Sequence, residues 1–297
     1  MSRTIGGPLT SHLATRSHTR CKMLRLDLAD GTSIGLTDHD LTLNFNLGDG
    51  AIDYLPDTGI LPSAISASVG FEADNFEVAG PIGDLVTRAA VLGGRYDRAR
   101  ARLFEVNWKS LGSGAIALIA GNVSQATIKG GKFVFEVRSD TDKFNQTIGE
   151  LITLYCSTDF CSAQCGLDLA DFTTPATVDA VVDAMRFSVS YTGTIPDDDL
   201  NAGTILFTTG ALAGIAPVEI FDWAVGGDIQ LFEPLPEPPE IGATLDLRFG
   251  CLKIRKSDDA AARTCMFYEN IVNFRGFPEV PGSDQVLKYA NPGSGGG

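Results

Sequence analysis

The sequence is short of several things, and each shortage narrows what the protein does. No apolar run approaches the roughly 20 residues that a membrane-spanning helix needs, so no stable membrane insertion is expected. Met1 to Cys21 lacks the continuous apolar stretch of a secretory signal, so the thiols are expected to meet a reducing cytosol while the chain folds. Histidine occurs only three times, at His12, His18 and His39, near Cys21 in sequence and far from the other five cysteines. A thiol hydrolase needs a Cys–His pair, and no local nucleophile signature surrounds any cysteine. Positive charge is scarce: 23 Lys and Arg against 37 Asp and Glu leave a net charge of −14. A chain that reads DNA sequence is normally basic, so sequence-specific DNA binding is not expected.

What is present is glycine, 33 of 297 residues, and short alternating runs of β-branched and aromatic residues. The combination predicts many short strands joined by tight turns. Pro8 suits the first turn of a helix over residues 8–20, where Leu9, His12 and Leu13 share a face. The period then changes to two, with residues 22–28 alternating, a hairpin signal at Asp30-Gly31 and a return over 33–36. Residues 41–45, 65–76, 101–108, 116–123, 124–128 and 132–137 read as further strands, with a tight turn at Lys129-Gly130-Gly131. No long helical pattern interrupts residues 22–140, so this half reads as all-β, one or two small barrels. Residues 140–154 read as a short helix or crossing segment and 177–185 as a brief helix or strand. Residues 204–209, 217–223, 228–232 and 243–249 are strand-like, and the prolines between 234 and 239 force an extended connector. The expected fold is mostly β: small β-barrel domains, a C-terminal cysteine-rich β domain and a short N-terminal helix. Expected divisions are 1–145, 146–290 and a flexible Gly/Ser tail over 291–297.

Chemistry concentrates in one stretch, Cys156-Ser-Thr-Asp-Phe-Cys161-Ser-Ala-Gln-Cys165-Gly166, answered downstream by Gly250-Cys251 and Cys265. Thiolates are soft ligands, and four at one point suit zinc or an iron–sulfur cluster. The tight C-x2-C knuckles of a zinc ribbon, the compact cysteine run of bacterial ferredoxins and the C-x-x-C-H haem motif are all missing. Spacing alone therefore leaves metal ligands and buried free thiols both open. Two acidic motifs read more plainly. Thr37-Asp38-His39-Asp40 is expected to be a turn whose carboxylates satisfy backbone amides rather than a metal or acid–base site. Asp197-Asp198-Asp199 is expected to be a solvated loop, since no calcium-loop spacing follows it.

Taken together, several motifs carry a resemblance. Cys156-x8-Cys165-Gly166-Leu167-Asp168-Leu169, Gly250-Cys251, Cys265 and Asn273-Phe274-Arg275-Gly276-Phe277-Pro278-x-x-Pro281-Gly282-x-Asp284 occur in that order. Thr37-Asp38-His39-Asp40, Gly94-Arg95-Tyr96-Asp97-x-Ala99 and Val106-Asn107-Trp108 precede them. The whole resembles a phage tail hub family found in siphophages and in alphaproteobacterial gene transfer agents, and is similar to the tail-tip hub protein of lambda-like phages. The resemblance runs from about Leu9 to Tyr289. It implies a structural virion protein rather than an enzyme, located at the tail tip or baseplate after assembly in the bacterial host cytoplasm. It implies a homotrimer between a distal tail protein and a central tip or fibre-bearing protein, with DNA passing through the channel unread. It further implies a 4Fe–4S cluster held by Cys156, Cys165, Cys251 and Cys265, with zinc as the alternative occupant. A thiol hydrolase and an iron–sulfur electron carrier are the rival functions. Two features depart from the family: the segment between Cys251 and Cys265 is longer, and Cys161 stands where no cysteine is required. Phe274 and Phe277 are expected to cover the cluster from water.

Overall fold

The structure, a computed structural model, describes residues 7–56, 60–62, 75–145, 149–259 and 262–280. Most of the strand pair expected over 65–76, together with Gln146, Pro281, Gly282, Asp284 and the tail, lies outside the described residues. The chain divides into two units, residues 1–147 with 207–216 and 235–239, and residues 148–206 with 217–234 and 240–297.

In the first unit, α1 (Gly7–Leu13) is shorter than its sequence pattern suggests. Beyond it the Thr15 hydroxyl bonds the carbonyls of His12 and Ser17, and the Thr19 amide donates to His12 Nε2. Bonds of this kind offer the backbone an alternative to the helical ladder, and the chain leaves for a strand at Arg20. The strands are β1 (Arg20–Asp27), β2 (Ser33–Thr37), β3 (Leu43–Asn46), β4 (Ala51–Leu55), β5 (Leu61–Pro62), β6 (Asn75–Pro81), β7 (Arg100–Asn107), β8 (Ala115–Lys129) and β9 (Lys132–Ser139). They form one nine-stranded sheet in the order β3-β4-β2-β1-β7-β8-β9-β6-β5. The β2–β4 pair is parallel. The strands expected over 116–123 and 124–128 are a single strand, β8; a bulge between Val123 and Gln125 breaks the alternation that suggested two.

Alternation along β1 feeds two cores. Cys21 and Met23 join Phe45, Tyr54, Phe104 and Val106, while Leu24 and Leu26 join Leu36, Leu103, Phe133 and Phe135. A five-residue helix, α2 (Arg88–Leu92), adds Ala90 and Val91 to the second core; Thr87 caps it by accepting from the Ala90 amide. Each large side chain so buried contributes roughly 1.5–3 kcal/mol.

In the second unit, β10 (Thr173–Val181), β11 (Arg186–Tyr191), β12 (Thr204–Phe207), β13 (Val218–Ala224), β14 (Asp228–Leu231) and β15 (Thr244–Arg248) close into a barrel ordered β10-β11-β14-β13-β12-β15. The stretch over 177–185 is strand as far as Val181, with Val178 buried and Val182 turned out to solvent. Val189, Ile205, Ile220, Trp223, Ile229, Leu245 and Leu247 are buried with Val178. Closure brings the first strand against the last: β10 pairs with β15 antiparallel, with Thr173 opposite Arg248. The residues just before β10 and just after β15 therefore emerge at the same end of the barrel. Among the described residues no helix is long and apolar enough to cross a membrane.

Candidate metal centre

The pairing of β10 with β15 is what assembles the cysteine site from distant sequence. It is extended past the strand ends, where the Phe249 amide donates to the Phe172 carbonyl at 3.0 Å. On one side lies a short 3-10 turn, Leu169–Phe172, and before it Cys165. Cys251 follows on the other side. The chain then folds back on itself: Leu252 N–H bonds the Arg263 carbonyl at 2.9 Å, and the Cys265 amide bonds the Ile254 carbonyl at 3.0 Å. Cys156 is drawn in by its amide, which donates to the Lys253 carbonyl at 2.7 Å. The Asn273–Pro278 segment completes the site, with the Phe277 amide donating to the Thr153 carbonyl at 2.8 Å.

Two glycines permit this close fit. Gly166 has φ of 75°, and a Cβ there would lie 3.1 Å from Asn273 Nδ2. At Gly276 a Cβ would lie 2.7 Å from the Phe274 ring and 2.8 Å from the Tyr155 backbone. The two motifs singled out in the sequence thus pack directly on each other.

All six cysteines are free thiols. Burial pushes the Cys265 thiol up to about 11, and Cys251, Cys156 and Cys165 push it the same way. Burial also raises Cys251, with Cys156 and Cys165 adding to it and the Lys253 amide opposing. The four cysteines named from the resemblance therefore lie within one another's electrostatic field. Three sulfurs accept N–H bonds of 3.4 Å: Cys251 from the Lys253 amide, Cys156 from the Arg275 amide and Cys165 from Asn270 Nδ2. Cys265 differs, its Sγ–H donating to the Asn270 carbonyl at 3.0 Å. A single tetrahedral ion with bonds of about 2.3 Å would need sulfurs about 3.8 Å apart. Among the described residues no three His, Cys, Asp or Glu side chains are grouped closely enough to hold one ion.

Cys161 is also near. Burial raises its thiol to about 11, followed by Cys165, Asp168, Cys251 and Asp171, so two carboxylates oppose its ionisation. Phe274, half-buried, lies with its ring against Gly276, and a second group of aromatic side chains comes from the loops that carry the thiols. Phe277 is exposed, whereas Phe160, Phe172 and Tyr268 form a mutual ring cluster with centroids 4.9–5.3 Å apart. Burial raises the Tyr268 hydroxyl pKa well above the usual phenol range, and Cys251 and Cys161 add to that. The Tyr268 hydroxyl donates to the Gly250 carbonyl at 2.7 Å. Asn270 also escapes sequence reasoning, because it falls between Cys265 and the Asn273–Pro278 motif and belongs to neither.

The remaining candidates resolve into structure. Cys21 is a core residue of the first unit, its thiol pushed up to about 11 by burial and by Asp38. Thr37-Asp38-His39-Asp40 is a turn: Asp38 Oδ1 accepts from the Lys22 amide at 2.7 Å, and the Thr37 hydroxyl donates to the Lys22 carbonyl. His39 packs against Trp108, the two rings tilted by 50° with centroids 4.8 Å apart. In the acidic triplet, Asp199 is tied to Arg263 rather than left solvated.

Two family models match the chain, and their limits differ from those of the two structural units. Residues 7–168 match a family described as baseplate hub protein, N-terminal attachment domain. Residues 199–284 match one described as Phage conserved hypothetical protein BR0599. A solved structure titled "Virion of native gene transfer agent (GTA) particle" contains a chain 28% identical to this one, covering 97% of each chain with a TM-score of 0.77. No curated protein sequence matches the chain.

Proposed function

This chain belongs to the baseplate hub protein family, and from that premise we propose that its second unit carries a structural iron–sulfur centre. The protein is a component of the virion, a hub at the tail tip or baseplate of a phage or gene transfer agent. In our reading a 4Fe–4S cluster is held by Cys156, Cys165, Cys251 and Cys265. Three copies form a ring between a distal tail protein and a central tip protein, and DNA passes through the ring.

The observation that carries the cluster is the meeting of four thiols from two distant segments, three of them facing N–H donors. Such donors stabilise the thiolate form that a metal requires. When bound, a cluster supplies a covalent bridge between loops that otherwise rest on a few hydrogen bonds. Phe160, Phe172 and Tyr268 pack on one another in the loops that carry these cysteines. A cluster, whose ligand sulfurs stand farther apart than those around one ion, asks less movement of these loops than zinc does.

Other features support the assembly reading. Leu151 is 84% exposed, Ile152 66% and Val272 89%, the kind of surface that neighbouring proteins cover. Heterologous contacts repeated about a three-fold axis would close a ring. Most of the chain's acidic excess falls in the second unit, which favours a lumen that repels DNA. A scaffolding role also fits the histidines, all of which belong to the first unit, while the thiol found there, Cys21, is buried and hard to ionise.

The test is elemental analysis of anaerobically purified protein, wild type and Cys265→Ala, with visible spectra. About four irons and four sulfides per chain, with broad absorption near roughly 400 nm that the variant loses, is the expected result. One zinc without sulfide would replace the cluster by an ion, and no metal in a folded protein would reject the centre.

A further inference from the structure

We infer that Asn270 is a positioning residue of the cysteine centre: its side chain holds Cys165 while its backbone holds Cys265, so one residue ties two ligands from different loops. The inference rests on the four-cysteine centre proposed above and deepens it. Asn270 is 7% exposed, yet it is a polar residue in a short turn between Cys265 and the Asn273–Pro278 segment. A buried amide needs partners for its donors and its acceptor, and here each partner is informative. Its Nδ2 donates to the Cys165 carbonyl at 2.8 Å and to the Cys165 sulfur at 3.4 Å. Its Oδ1 accepts from Asn273 Nδ2 at 2.7 Å, which orients the amide with its NH2 towards Cys165. Its backbone amide donates to the Cys265 carbonyl at 3.0 Å, and its backbone carbonyl accepts the Cys265 thiol proton. Lys253 likewise joins Cys156 and Cys251, but through its backbone alone, so of the two residues only Asn270 offers a sulfur a donor that mutation can remove.

The four sulfurs are consequently inequivalent. Cys165 receives a side-chain donor that can be removed by mutation, unlike the backbone donors to Cys156 and Cys251. Cys265 faces a carbonyl, an arrangement that suits a thiol and disfavours a thiolate. Hydrogen bonds to ligand sulfur stabilise the more negative, reduced state of a cluster and so raise its reduction potential. Asn270→Ala should therefore lower the potential, and outer-shell losses of this kind typically weaken metal binding by about 10–100-fold.

The experiment uses the full chain, reconstituted anaerobically with iron and sulfide, as wild type, Asn270→Ala and Asn273→Ala. Iron and sulfide content, midpoint potential and the rate of iron loss to a chelator are measured, with thermal unfolding as the check on folding. We expect Asn270→Ala to give a more negative potential and iron loss roughly tenfold faster or more. Asn273→Ala leaves the donor in place but unanchored, so it should shift both readouts in the same direction by less. Should Asn270→Ala fail to fold, Asn273→Ala decides the question. Unchanged potential and retention in a folded Asn270→Ala, or in Asn273→Ala where that variant decides, would overturn the inference while leaving the centre intact. A wild type that takes up no iron and sulfide would instead reject the centre itself.

Discussion

Asp27 shows how one side chain ties the first unit to pH. Burial alone would raise its carboxyl pKa, but hydrogen bonds from Ser33, Arg25 and Arg102 outweigh it and hold the pKa below the usual carboxylate range. Arg25 is 5% exposed and bonds Asp27 at 2.7 Å, so the carboxylate compensates a guanidinium that has left water. A folded-state pKa below the unfolded value gives stability that is complete above about pH 4 and is lost as pH falls through the folded pKa. Asp27→Asn should cost roughly 1–3 kcal/mol at pH 7. The difference from wild type should shrink as the pH is lowered below about 4. Thermal unfolding of both proteins from pH 7 down to pH 3 checks this, and a difference that stays constant would show that Asp27 acts by packing alone.

The barrel strands and the loop over Asn273–Pro278 make separable contributions. Leu247 on β15 is fully buried, and Leu247→Ala should destabilise the barrel by roughly 2–5 kcal/mol, read as a lowered melting temperature of the second unit. Gly276→Ala should act differently. Its added Cβ collides with the Phe274 ring and the Tyr155 backbone, which displaces the Arg275 amide from the Cys156 sulfur. Metal content should fall in that variant while far-UV circular dichroism stays that of wild type.

Much of this level was legible in the sequence. The hairpin through Asp30-Gly31 and the strand into Asn107 follow from period-two patterning and turn chemistry, both local. The β2–β4 parallel pair, the continuous β8 and α2 were not legible, because non-local pairing, a bulge and a helix of five residues leave no periodic trace. The four cysteines are named as ligands by resemblance only, and spacing alone leaves metal ligands and buried free thiols both open. The ring cluster and Asn270 come from loops whose meeting depends on barrel closure, which no local pattern encodes.

For the whole molecule the pertinent fact is where the charge lies. With a net charge of −14 and its excess in the second unit, the protein should show no retention of double-stranded DNA in a mobility-shift assay at about 0.1 M salt, where screening reaches only about 10 Å. Stable DNA complexes there would contradict a passage that repels its cargo. Sedimentation of the purified chain should reveal self-association consistent with a ring of three. A strict monomer across the micromolar range would require other tail proteins to impose that order.

The barrel's closing seam also has a mechanical meaning. Because β10 and β15 are antiparallel, the chain enters β10 at Thr173 and leaves β15 at Arg248 from the same end. Tension applied through those two points peels the seam one hydrogen bond at a time, the direction in which a sheet resists least. Cys165 and Cys251 lie just outside that end, so a bridge between them takes the load before the first strand bond feels it. If the proposed centre is present, single-molecule stretching should find that chelating its metal lowers the rupture force of the barrel far more than it lowers the melting temperature. With the proposed centre in place, the cysteines would then serve as a latch against force rather than against heat.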